Sequence, residues 1–106
     1  MKVQNMTSSR GNKIANQFVI TDINNCGHKI EIFQSYDSVI AKIDHAHVDL
    51  SQNPPIGKQK RIYLDSTYWD YSVTTGKYRN QFLGETKKET ERKIASGEYI
   101  LTDLNS

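Results

Sequence analysis

The residues best equipped for chemistry crowd into one stretch. Four of the six tyrosines (Tyr63, Tyr68, Tyr71 and Tyr78), the only tryptophan, Trp69, and Phe82 fall between positions 63 and 82, with Lys77 and Arg79 among them. Rings interleaved with cations can stack on bases and pair with phosphates. The same composition forms the anchors of protein interfaces, where Trp, Tyr and Arg dominate. A third reading is structural: Tyr78 and Phe82 stand i,i+4 on one helical face and, with Trp69, close a core. Lys77 and Arg79 then flank that stripe and look outward. The candidate partner-binding set is Trp69, Tyr71, Lys77 and Arg79, joined by the bases Lys87, Lys88 and Arg92.

Other constellations are thinner. In an extended segment His45, His47 and Asp49 share one face, and imidazole with carboxylate is a partial zinc set. The spelling resembles the start of the metallo-β-lactamase ligand motif over five residues only, with Leu50 where that motif has its final His. No metal or other cofactor is expected. Cys26 lies in a turn beside Gly27 and His28, where a thiol is open to water and no third group orients the pair. Neither a G-x-G-x-x-G nor a Walker phosphate loop occurs. The expectation is therefore a protein that binds rather than catalyses.

The elements that must position these residues follow from composition and pattern. With 36% hydrophobic and 25% charged residues, a chain of 106 fits one small domain. It has no apolar run of the ~18 residues a bilayer span needs and no secretory h-region, so no membrane partner is expected. A single cysteine fits a reducing cytoplasm. The net charge of +2 is unevenly spread: residues 1–57 balance to zero, 58–97 carry +4, and the tail carries −2. Any electrostatic footprint thus lies in the C-terminal half.

Residues 1–16 are polar and read as a flexible N-terminus; 17–106 read as a single α+β domain. Strands are expected at 17–23, 28–34, 39–44 and 61–64, with a short edge strand at 98–101. A turn at 24–27 and a long loop at about 44–60, holding Pro54, Pro55 and Gly57, separate them. Thr74 or Thr75 caps a helix to Leu83 before Gly84, and Thr86 with Glu89 spells a capping box for a helix to Ser96 before Gly97. The expected fold is α+β: a meander of four to five antiparallel strands with two short C-terminal helices. The 98–101 edge could pair with a second copy, giving a homo-oligomer.

Three stretches, FQSYDSVIA at 33–41, YWDYSVTTGKYRNQFL at 68–83 and SGEY at 96–99, resemble a family of small uncharacterised proteins of tailed bacteriophages and prophages. The resemblance spans residues 3–105 and is most specific over 68–101; the 44–60 stretch is longer here, which sets the His pair outside the shared pattern. It brings no catalytic residue. It implies a small phage-type accessory protein acting in a bacterial cell. By association only, small phage proteins without enzymatic motifs often work as stoichiometric inhibitors of host or defence machinery. The leading expectation is steric docking of the anti-CRISPR kind on a bacterial protein, including one that holds nucleic acid. The alternatives are direct nucleic-acid binding by the same patch and metal binding through His45 and His47.

Overall fold

A computed structural model describes residues 1–23, 27–45 and 60–105. The chain is α+β, as expected, but the sheet has six strands rather than four to five. They are β1 (Lys2–Thr7), β2 (Lys13–Ile23), β3 (Lys29–Ser35), β4 (Ser38–His45), β5 (Lys60–Asp65) and β6 (Tyr99–Thr102), in that spatial order. Between β5 and β6 come α1 (Val73–Leu83) and α2 (Lys87–Ser96). The first five strands form an antiparallel meander, whereas β6 pairs parallel to β5, with Ile62 opposite Tyr99. Parallel neighbours need a crossover of a dozen or more residues, and the two helices supply it.

The extra strand lies in the segment expected to be loose. β1 pairs with β2 from Lys2↔Thr21 to Asn5↔Phe18, and Met6 is buried. The polar spelling KVQNMT hid it because an edge strand is largely wetted and shows little apolar alternation. The Asn5 side chain donates to the Ile14 carbonyl, and Gln81 of α1 donates to the Thr7 carbonyl, so the turn end of this hairpin is tied to the helix.

The core is Met6, Phe33, Ile40, Ala41, Leu64 and Tyr99. Phe33 sits between Val19 and Ala41 on its neighbours and stacks on Phe82 of α1 at 5.8 Å. The β3–β4 register slips after Phe33, so Ile40 has no partner across the pair and is fully enclosed. The β3–β4 turn puts Tyr36 at φ 56°, with its amide donated to Asn16.

Helix ends explain the next elements. Ser72, rather than Thr74 or Thr75, caps α1, its Oγ accepting from the Thr75 amide at 3.0 Å. Thr75 is instead buried, its hydroxyl 3.1 Å from that of Ser35. α2 has the expected capping box of Thr86 and Glu89, and Gly84 and Gly97 end the two helices in the left-handed conformation. No helix among the described residues is long and apolar enough to cross a membrane. The 24–26 part of the first turn with Cys26, and most of the 44–60 loop with His47 and Asp49, lie outside the described residues.

Candidate functional site

The turn that carries the aromatic run is built on Asp65. Its buried carboxylate accepts from the Thr67 and Tyr68 amides at 3.0 and 2.9 Å and from the Leu104 amide at 2.8 Å. Burial alone would raise this carboxyl, but those hydrogen bonds and one from Asn105 outweigh it and hold it below the usual range. The turn is thereby fixed at both the end of β5 and the C-terminal tail.

Arg79 fixes its far side. The guanidinium was expected to look outward, yet Arg79 is 0% exposed. It lies 5.2 Å from the centre of the Trp69 ring, and Nη1 donates to the Trp69 carbonyl at 2.6 Å and to Asp70 at 3.3 Å. Nη2 donates to Asn80 at 3.0 Å, while Nε has no partner among the described residues. A planar guanidinium can stack and hydrogen-bond at once, so a ring and acceptors from the 66–72 turn draw it inside. Asp70 also accepts from Lys87 at 2.8 Å, linking the turn to α2. The Lys87 hydrogen bond is the largest influence on Asp70, which stays below the usual carboxyl range although burial opposes it.

These contacts shape a cleft of 640 Å³ at the N-terminus of α1. Asp70, Ser72, Val73 and Lys77 line it together with Gly76, Arg79, Asn80 and Lys87. A methyl group placed on Gly76 would touch the Arg79 guanidinium at 3.6 Å, so the glycine keeps that wall shallow. Val73, on the cleft wall, is 93% exposed, and Tyr71, in the turn between Asp70 and Ser72, is 56% exposed. Tyr71 meets Tyr68 edge to face at 5.5 Å.

The expected docking residues therefore separate. Lys77 and Lys87 line the cleft, and Lys77 forms no ion pair among the described residues, resting over the Tyr78 ring at 5.3 Å; Tyr71 is exposed in the adjoining turn but does not line it. Lys88 and Arg92 are exposed on α2 but do not line the cleft. Trp69 is half-buried and packs with Tyr68, Tyr78 and Phe82 against the core. Asp70, Ser72, Val73, Gly76 and Asn80 were not anticipated. Reading Ser72 as the cap would have brought out Val73 as the first helical residue.

Two further clusters are structural. Glu85 accepts from Thr90 at 2.7 Å, from Lys93 at 2.9 Å and from the Tyr99 hydroxyl, joining α1, α2 and β6. Burial would raise its carboxyl; the hydrogen bonds from Tyr99, Thr90 and Lys93 bring it below the usual value. Burial, then Glu85, pushes the Tyr99 phenol up to about 12. His45 bonds Glu31 at 2.6 Å, and His28 lies 3.3 Å from Asp44, so each imidazole faces one carboxylate across the β-ladder. No group of three potential metal ligands occurs among the described residues.

A family model described as a family of unknown function, DUF8033, matches residues 1–98, and the chain belongs to that family. No curated protein and no solved structure matches it.

Proposed function

We propose that this DUF8033 chain is a non-enzymatic binding protein that docks on another protein through the cleft at the start of α1. One observation carries the reading: Val73 stands 93% open to solvent on the wall of a cleft braced from beneath by a buried guanidinium, and Tyr71, in the turn between the lining residues Asp70 and Ser72, is 56% exposed. An exposed valine at a helix start adds nothing to the fold of its own chain, and apolar groups beside a preformed recess are where interface anchors gather. The Asp65 and Arg79 contacts hold this surface rigid, which lowers the ordering cost of association. The phage resemblance makes a bacterial host or defence protein the partner class, with inhibition by steric occlusion. Trp69 and Arg79 support the surface from behind; Tyr71, Lys77 and Lys87 meet the partner.

The test is affinity purification from bacterial lysate with the intact chain and with Val73→Asp. Aspartate in the first turn suits the helix dipole, so the variant keeps its fold. A stoichiometric protein captured by the first and lost with the second supports docking. Absence of any protein partner, or recovery of nucleic acid whose capture falls steeply with salt, overturns it in favour of nucleic-acid binding.

A further inference from the structure

We infer that the cleft takes an acidic side chain flanked by an aliphatic one, presented by a segment of the partner protein; this rests on the docking reading and names its chemistry. Three cations, Lys77, Arg79 and Lys87, line the cleft with one carboxylate, Asp70. That carboxylate is already divided between Arg79 at 3.3 Å and Lys87 at 2.8 Å. Lys77 has no counter-ion among the described residues, and the buried Arg79 Nε has no acceptor. Positive charge is therefore in excess in a recess whose walls partly exclude water, where fields are stronger than on an open surface.

The helix start adds to it. α1 has eleven residues and no acid in its first turn. Ser72 serves the Thr75 amide through Oγ and the Gly76 amide through its carbonyl. The Val73 and Thr74 amides precede the first intrahelical bond and have no partner among the described residues, and Val73 lines the cleft.

Size and rim then narrow the class. A volume of 640 Å³ is far larger than a lone anion and lies in the range of sites that hold organic groups. Val73, 93% exposed on the cleft wall, offers an apolar contact next to the anion. A nucleic-acid strand wants a row of cations along its phosphates. The cleft has one focus of positive charge with a carboxylate inside it, which favours a single acidic side chain.

The test titrates the folded, full chain with N-acetyl-Leu-Glu-amide and with its neutral counterpart N-acetyl-Leu-Gln-amide, following backbone amide resonances by NMR. The expected result is saturable shifts at Val73, Thr74 and Lys77 with the acidic peptide and about fivefold weaker binding of the neutral one, the scale of one ion pair. Lys77→Gln, an exposed change, lowers the acidic peptide's affinity by a similar factor while the far-UV circular dichroism stays the same. Equal affinity for both peptides, no saturation, or the same amides responding more strongly to a short oligonucleotide overturns the inference. Partner capture that depends on Val73 while the peptides fail removes the carboxylate and leaves docking. Peptide binding with no captured partner does the reverse.

Discussion

At Arg79 a guanidinium gives up its water for a ring, a carbonyl, a carboxylate and an amide oxygen. Arg79→Met would keep the volume and strand the Trp69 carbonyl, leaving Asp70 with Lys87 alone. We expect a loss of about 2–4 kcal/mol in chemical denaturation, at the lower end because Asp70 keeps some water. Gln17 presents the opposite case. It is 1% exposed, and neither amide atom has a partner among the described residues. Gln17→Met removes an unpaired polar group from the interior, so the denaturation midpoint should rise, by about 1 kcal/mol in stability. At this scale the sequence was least informative. A buried arginine and an exposed valine both violate the rule that sorts side chains by polarity, and the arginine is drawn inside by Trp69 and Asp70 from the preceding turn.

Among the elements, those shaped by their own residues were legible. β3 and β4 followed from short β-rich runs and a tight turn, and α2 from Thr86, Glu89 and Gly97. The burial within β3 was not: Ile30 and Phe33, on opposite sides of the strand, are both buried, as is Ser35. α1 was placed nearly in full, and the spacing of Tyr78 and Phe82 marked a side that packs on the core, but the buried Thr75, Gly76 and Arg79 carry no apolar signal. Thr86→Ala removes the acceptor for the Glu89 amide and should cost about 1 kcal/mol, read as a lower melting temperature. Gly76→Ala separates stability from binding. Its φ is ordinary for a helix and the added methyl makes normal contact, so the helix gains up to about 1 kcal/mol. The same methyl narrows the cleft, so partner capture should weaken as the melting temperature rises.

For the molecule as a whole, Asp65, Asp70 and Glu85 define the acid limit. All three sit below their ordinary values of 3.8, 3.8 and 4.5 in the folded state. Their contribution is complete above those values and disappears as pH falls through the lower folded ones. Denaturation midpoints should therefore drop steeply below about pH 4, and less steeply in Glu85→Gln. Tyr99 acts at the other end: its phenol rises from 10 to about 12, so its share is intact below pH 10 and fades between 10 and 12. The parallel pairing of β5 with β6 also sets an order of assembly. The first five strands zip together through neighbours in the chain, but the sixth must wait until both helices have formed and docked, because only they return the polypeptide to that margin. Detachment of β6 alone would part the Tyr99 phenol from Glu85 while leaving every pairing of the meander intact.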